Sequence, residues 1–154
     1  MNTDIKQSEL MKTLWLNQIL EYDIESIVLA SYLGVDTYEA HSYINDQDYL
    51  VLTDEEADEA VREYIEETVW AFNPSFLSAY TRVSEEAIKK IQELHEDAND
   101  ALAEMIKDFD EFVEDAVACD GRGHFLAGYD GNENEVTFTS LDDTKTIYYI
   151  YRRN

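Results

Sequence analysis

Cys119, Asp120 and His124 have the strongest potential for covalent chemistry, because a thiol near an imidazole and a carboxylate can form a nucleophilic catalytic set. The chain has one cysteine and three histidines. The sequence shows no recognisable context in which a third group would orient Cys119 and His124. A zinc site would need four ligands at suitable spacing. We therefore predict a protein that is not an enzyme, with no catalytic residue, no metal centre and no cofactor.

The stretch 130–135 begins like a calcium-binding loop, with oxygen ligands at Asp130, Asn132 and Asn134. An EF-hand loop would need glycine at its sixth position and glutamate at its twelfth. The sequence has Glu135 and Leu141 at those positions. A polar hairpin turn is the favoured interpretation, and weak surface binding of a divalent ion by Asp130, Asn132 and Asn134 stays an open alternative.

Carboxylates are the chemical groups that this chain has in excess. It has 35 Asp and Glu against 11 Lys and Arg, a net charge of −24 over 154 residues. Soluble domains of this size usually have a net charge of magnitude about 2–8. Anionic membrane surfaces and nucleic acids would both repel such a protein. The expected partner is therefore a basic, nucleic-acid-binding protein, with no direct contact to nucleic acid and none to a membrane.

The spacing of these carboxylates places many of them on one side of predicted helices. Glu55, Glu59, Glu63 and Glu67 recur every four residues, so neighbouring side chains lie about 5–6 Å apart at their Cβ atoms. Each such like-charge pair destabilises a helix by about 0.2–0.5 kcal/mol. A rigid row of this kind would present a field like that of nucleic-acid phosphates. The predicted partner-binding residues form two stripes: Glu55, Asp58, Glu59, Glu63, Glu66 and Glu67, then Asp97, Asp100, Glu104, Asp108 and Glu111.

The helices that must position these stripes are predicted from apolar periodicity and capping residues. The clearest one begins at a capping box formed by Thr53 and Glu56. Its apolar face includes Ala57, Val61 and Ile65, and its other face is almost entirely acidic. Further helices are expected over about 3–21, 24–33, 37–45, 74–80 and 85–118.

The longest predicted helix covers residues 85–118, where apolar residues alternate steps of three and four over about four heptads. Such a helix could be the spine of a bundle, or it could pair with a second copy to form a homodimer. The stretch 96–100 is its weakest part.

The C-terminal segment changes to the two-residue period of strands. Val136 and Phe138, then Tyr149 and Tyr151, alternate with more polar neighbours. This pattern predicts an antiparallel ribbon over about 124–152, with turns near 130–131 and 142–143. Residues 49–52 are either a short strand or an extended connector. The predicted fold class is α+β: a mainly α-helical bundle with a small C-terminal antiparallel β-sheet, in a single domain 1–154 whose helical part is 1–119 and whose β part is 120–154.

Compartment signals in the sequence are few. No apolar run approaches the roughly 20 residues that span a bilayer. The N-terminal region has Asp4 and Glu9 and lacks the basic-then-apolar pattern of a signal peptide. A lone cysteine cannot form an intrachain disulfide, which fits a reducing compartment. We therefore expect a location in the cytoplasm of a host cell.

Four short segments resemble small acidic bacteriophage-encoded proteins of unknown function, over roughly residues 49–154. The charge density also resembles that of phage DNA-mimic inhibitors of restriction or CRISPR enzymes, although this second likeness is one of composition. It implies an anti-defence role. The segments are Thr53-Asp-Glu-Glu-Ala-Asp, Asp120-Gly-Arg-Gly-His-Phe-Leu, Tyr129-Asp-Gly and Tyr148-Tyr-Ile-Tyr-Arg.

Two functions of different kinds follow as hypotheses. The first is a non-enzymatic acidic inhibitor that blocks the cationic DNA- or RNA-binding groove of a host defence nuclease. The alternative is a protein–protein adaptor, or a small phage structural or accessory protein, that would use the exposed side of Tyr148, Tyr149 and Tyr151.

Overall fold

A computed structural model describes residues 3–7 and 22–154. The chain divides into two compact units, and the boundary lies inside one helix. We call Met1–Glu59 with Arg122–Asn154 the sheet unit, and Ala60–Gly121 the helical unit. Within the described residues there are eight α-helices and one four-stranded sheet.

The sheet has the strand order β1-β3-β4-β2. β1 runs parallel to β3 and places Ile5 opposite Phe138. β4 is antiparallel to both β3 and β2, and its Ile150 lies opposite Val51. The strands are β1 (Thr3–Lys6), β2 (Tyr49–Thr53), β3 (Asn134–Thr139) and β4 (Lys145–Arg152).

Two helices, α1 (Ile24–Leu33) and α2 (Thr37–Asn45), share a core with one face of this sheet. Asp23 caps α1 by accepting a hydrogen bond from the Ser26 N–H (2.9 Å), as the sequence predicts. Gly34 ends α1 in the left-handed region at φ 73°, which glycine adopts without steric penalty. These local signals fix both ends of α1.

Helix α3 (Asp54–Glu67) begins in the sheet unit and continues into the helical unit. Its capping box is confirmed: the Thr53 N–H donates to Glu56 Oε1 (3.0 Å) and the Glu56 N–H donates to Thr53 Oγ1 (3.3 Å). Ala57, Val61 and Ile65 are buried, also as predicted.

The helical unit continues with short helices around an aromatic core. Phe112 is fully buried, and its ring lies 5.0–5.4 Å from the rings of Phe72, Phe76 and Tyr80. The elements after α3 are a 3₁₀ turn (Val69–Ala71), α4 (Pro74–Thr81), α5 (Glu85–Gln92), a second 3₁₀ turn (His95–Ala98), α6 (Asn99–Met105) and α7 (Phe109–Asp120). The last helix of the chain, α8 (Arg122–Leu126), belongs to the sheet unit.

The prediction of α+β class is confirmed, but the finer description of a mainly helical bundle with a C-terminal sheet is not. Strands occur near both ends of the described chain and also at 49–53, where the sequence left strand and connector open. The predicted helix over 3–21 is wrong at its start, because residues 3–6 form β1. There Ile5 is buried beside Phe138, so strand pairing outweighs local helical periodicity. The rest of that prediction, 8–21, lies outside the described residues.

The prediction of one continuous helix over 85–118 is wrong. The chain leaves helical geometry at His95, whose φ is 55°, and again at Ile106, which is extended. Asp108 then caps a new helix by accepting a hydrogen bond from the Glu111 N–H (3.1 Å). The predicted homodimer has therefore lost the long helix through which it was to form, and the oligomeric state stays a prediction.

The C-terminal ribbon is confirmed as a β3–β4 hairpin whose turn includes residues 142–143. Residues 124–126, expected at the start of the ribbon, belong to α8 instead. Gly123 allows α8 to lie close to the backbone at Gly131, because a Cβ atom at position 123 would collide with the Gly131 carbonyl oxygen. No described helix has the length and apolarity needed to cross a bilayer.

Candidate functional site

All eleven carboxylates of the two predicted stripes are exposed. Six of them lie on α3, away from its buried residues, and therefore face solvent. The other five lie on the second 3₁₀ turn, on α6 and at the start of α7. All eleven side chains are therefore open to solvent, and their role in binding a partner stays a prediction.

Few of these carboxylates are neutralised by a neighbouring cation. In the described part of the chain, only Asp58 and Glu66 among the eleven form an ion pair. Exposed helices usually have Lys or Arg one turn away from such acids, but Arg62 is the one basic residue of α3. The surface charge is therefore largely uncompensated.

Asp58 is held by Arg122, a residue that the sequence singled out only as part of the segment 120–126. The Arg122 guanidinium lies 2.9 Å from both Asp54 and Asp58 and 2.8 Å from Glu133. Its side chain is only 10% exposed, and it stacks on the Tyr149 ring at 4.5 Å. Asp58 therefore has a structural role in the sheet unit, and the first stripe is weakened at that position.

The charge of Arg122 is secured by its partners. Burial works against its charged form, but hydrogen bonds to Glu133 and Asp54 outweigh this effect and raise the pKa of Arg122. The Tyr151 hydroxyl also donates to Glu133 (2.6 Å). An arginine flanked by two glycines in a strongly acidic chain was the signal for this cluster, although it gives no indication of the partners.

The helical unit brings the two stripes together at the C-terminal half of α3. The Asn99 amide Nδ2 donates to the Glu66 carbonyl oxygen (2.7 Å), and its Oδ1 accepts from the Trp70 N–H (3.1 Å). Asn99 is the first residue of α6 and is flanked closely by Asp97 and Asp100. The acidic start of α6 is thus fixed beside the acidic end of α3.

Arg62 provides a second junction between the stripes. Its guanidinium contacts Asp110 at 2.5 Å and Glu66 at 3.7 Å, and it lies 5.2 Å from the centre of the Phe109 ring. This places the start of α7, with its exposed carboxylates, next to α3. Asp110 was absent from the predicted stripes. Its contact with Arg62 joins residues 48 positions apart, so the sequence pattern gives no sign of it.

The helical unit therefore contains one acidic surface made from four elements: α3, the second 3₁₀ turn, α6 and the start of α7. The unit has 16 acidic and 5 basic residues, a net charge of −11. Glu104 is exposed in α6, but none of its contacts ties it to α3 among the described residues. We define the acidic surface as Glu63, Glu66, Glu67, Asp97, Asp100, Asp108, Asp110 and Glu111.

Of the residues considered for covalent chemistry, Cys119 lies in α7 of the helical unit and His124 in α8 of the sheet unit. Cys119 is exposed and free, and the His124 ring packs on Phe125 at 4.9 Å. Within the described ranges, no three His, Cys, Asp or Glu side chains are arranged to hold a metal. Asp130 Oδ1 accepts a hydrogen bond from the Asn132 N–H (2.9 Å), which is the geometry of a polar turn. Asn134 begins β3.

The three tyrosines expected to serve an adaptor are buried or partly buried, and the adaptor function itself stays a prediction. Tyr148 and Tyr151 point to opposite faces of β4, and their side chains are only 7% and 0% exposed. Tyr149 is partly covered by Arg122. The sequence pattern of alternating tyrosines was interpreted as half-exposed, but Tyr148 and Tyr151 are both buried in the sheet unit.

Comparison of the chain with protein-family models, with curated proteins and with solved structures finds no match. The likeness to phage proteins and to DNA mimics therefore stays a prediction. Any function must be argued from the geometry and charge of the surface described above.

Proposed function

We propose that this protein is a non-enzymatic inhibitor that presents its acidic surface as a nucleic-acid mimic. The partner would be the cationic DNA- or RNA-binding groove of a host defence nuclease of the restriction or CRISPR type. The observation that carries the proposal is that few carboxylates of this surface are paired with a cation. Of its eight exposed carboxylates, only Glu66 and Asp110 have an ion-pair partner among the described residues, and they share Arg62.

The arrangement of the surface supports electrostatic competition as the mechanism. Carboxylates on an α-helix repeat at about 5–6 Å for i,i+4 pairs, so their spacing is fixed by the backbone. Asn99 and Arg62 fix the acids of α6 and α7 against α3. A preorganised set of charges loses little conformational freedom on binding, which favours affinity.

The same electrostatics determine how the complex should form. Opposite potentials steer the two partners together, so the association rate should be high at low salt and fall steeply as salt increases. Duplex DNA should compete for the same groove. These are properties that an apolar docking surface would not give.

A charge-reversal experiment tests the proposal with net charge held constant. The test variant changes Glu63, Glu67, Asp97 and Asp100 to Lys, none of which forms an ion pair among the described residues. The control changes four exposed or partly exposed acids outside the acidic surface to Lys: Asp46, Glu86, Asp120 and Glu135. Both variants have the same net charge, so only the position of the carboxylates differs.

The measurement is capture of proteins from a bacterial host lysate on the immobilised wild type and on each variant. Captured proteins are eluted first with duplex DNA and then with salt, and the binding constant of each DNA-eluted protein is measured with purified components. We expect the wild type and the control to retain a nucleic-acid-binding protein that DNA displaces, and the test variant to lose it. Retention of that protein by the test variant, with helicity unchanged by circular dichroism, would reject the proposal.

A further inference from the structure

A cleft of about 380 Å³ opens in the sheet unit beside β2 and the end of β4. Leu33 and Val35, at the end of α1 and after it, provide its apolar lining. Tyr43 and Tyr49 provide aromatic lining, with ring centres 5.8 Å apart and tilted by 52°. The volume is in the range of small-molecule sites, which are mostly apolar with a few placed polar groups.

Arg152 is the cationic group of this cleft. Its guanidinium lies 3.7 Å from the centre of the Tyr129 ring and 5.9 Å from that of Tyr49, and its Nε donates to the Asn154 backbone oxygen (2.8 Å). No side-chain carboxylate of the described residues forms an ion pair with it, although the chain has a net charge of −24. Stacking thus orients a guanidinium whose two terminal nitrogens stay available.

Asp48 is the anionic group of the same cleft. Its backbone oxygen accepts from the Arg153 N–H (2.8 Å), and its Oδ1 accepts from the Asn154 side chain (2.9 Å). Asp48 forms no ion pair with Arg152 or with another cation in the part of the chain that is described. One cleft therefore has a fixed positive group and a fixed negative group that do not neutralise each other.

We infer that this cleft binds a zwitterionic amino acid with an apolar or aromatic side chain. Arg152 would hold the carboxylate through its two terminal nitrogens, since a guanidinium suits a carboxylate bidentately. Asp48 would accept hydrogen bonds from the ammonium group. The side chain would pack against Leu33, Val35 and the tyrosine rings.

The net charge of the protein supports a zwitterion over other small ligands. The field of a chain with a net charge of −24 opposes the approach of an anion. A simple cation would be attracted, but it would not bind the terminal nitrogens of Arg152. A zwitterion is neutral overall and satisfies both groups. This inference is independent of the proposed function, because it concerns other residues in the sheet unit.

Calorimetric titration of the full chain with three related compounds tests the inference. L-phenylalanine is the zwitterion, N-acetyl-L-phenylalanine lacks the ammonium group, and L-phenylalaninamide lacks the carboxylate. In mildly acidic buffer we expect one site for L-phenylalanine and binding weaker by about tenfold or more for each analogue, because each loses a charge-assisted hydrogen bond.

Two substitutions assign the groups. Arg152→Gln should remove the preference for L-phenylalanine over the amide, and Asp48→Asn should remove the preference over the acetylated compound. Asp46→Asn, an exposed acid nearby that does not line the cleft, is the matched control and should change neither preference. Circular dichroism checks that each variant is folded.

Three results would overturn the inference. These are no binding of L-phenylalanine at millimolar concentration, equal binding of the three compounds, and tightest binding of the cationic amide. Equal binding would indicate apolar contact alone, and tight binding of the amide would indicate attraction to net charge alone.

Discussion

The sheet unit and the helical unit accommodate their surplus of acid in different ways. In the sheet unit, Arg122 is nearly buried, with 10% of its side chain exposed, and it joins three carboxylates. In the helical unit, the paired cations are open to solvent, with side-chain exposures of 40% for Arg62 and 58% for Lys89. Negative charge is thus part of the fold in the first unit and stays on the surface in the second.

The helical unit can leave its acids unpaired because other interactions stabilise it. Its core is a set of packed aromatic rings around Phe112. Amide side chains then fix its turns: Gln92 Nε2 donates to the carbonyl oxygens of Trp70 (2.9 Å) and Phe72 (2.7 Å). Neither interaction depends on the ionisation of surface carboxylates, so these remain free to meet a partner.

The largest expected effect comes from removing the centre of the aromatic core. Phe112→Ala should lower the free energy of unfolding by about 4 kcal/mol, because a fully buried ring is replaced by a cavity. Urea denaturation followed by circular dichroism measures the total. Hydrogen exchange should place the loss of protection in 60–121. Phe109→Ala, at a partly exposed ring, is the control and should have a smaller effect. A loss confined to the sheet unit would contradict the comparison.

The next largest effect separates the two arginines. Arg122→Ala should destabilise the protein by about 3 kcal/mol, since it leaves Glu133 and the Tyr151 hydroxyl in a partly buried network without its cation. Arg62→Ala should cost less than about 1 kcal/mol, because its ion pairs are exposed. The measurement is again urea denaturation. Equal losses from the two substitutions would mean that the sheet unit does not depend on its internal cation.

Features that depend on contacts close together in the sequence could be predicted, and features that depend on distant contacts could not. The capping box of Thr53 and Glu56 was predicted because it depends on residues within one turn of chain. The strand at 3–6 was missed because it pairs with β3, and local periodicity contains no information about that partner.

The candidate site shows the same limit. That the stripe carboxylates are exposed could be predicted from their types and spacing. The junctions made by Asn99 and Arg62 could not, because they join residues 33 and 48 positions apart. That Arg152 forms no ion pair with a side-chain carboxylate of the described residues could not be predicted either, because only the folded geometry decides which acids lie near it.

Alkaline pH should destabilise the protein, because each unit contains a tyrosine whose hydroxyl donates to a carboxylate. A hydrogen bond to Asp115 raises the pKa of Tyr80 from 10.0 to about 12. In the sheet unit, burial and a hydrogen bond to Glu133 raise the pKa of Tyr151. The folded state holds each phenolic proton more tightly than the unfolded state. This contribution to stability is therefore complete below pH 10 and, for Tyr80, is lost as pH rises toward about 12.

Tyr80→Phe tests the assignment in the helical unit. We expect it to lower stability at neutral pH and to flatten the fall of the urea midpoint between pH 10 and about 12, because the linked proton has been removed. Tyr38→Phe, at a side chain that is 70% exposed, should leave the profile unchanged. An identical alkaline profile for Tyr80→Phe and wild type would show that this hydroxyl does not contribute.

The smallest effect decides whether the surplus charge is merely tolerated. Glu63 lies one turn from both Glu59 and Glu67, and none of the three forms an ion pair among the described residues. Glu63→Lys turns two repulsions into two attractions, so it should stabilise the protein by about 1 kcal/mol at low salt. Glu63→Gln removes only the repulsions and should give about half of that gain. Urea denaturation at low and high salt checks both, and the gains should shrink as salt screens the charges.

The informative result is the sign of the change in binding beside this change in stability. A protein that uses its carboxylates should become more stable and bind its cationic partner more weakly when Glu63 becomes Lys. A gain in stability with unchanged binding would mean that the row of Glu59, Glu63 and Glu67 on α3 serves solubility alone, because a substitution that improves the fold would then have no functional cost. Opposite signs would show that the repulsion in the helical unit is retained for recognition.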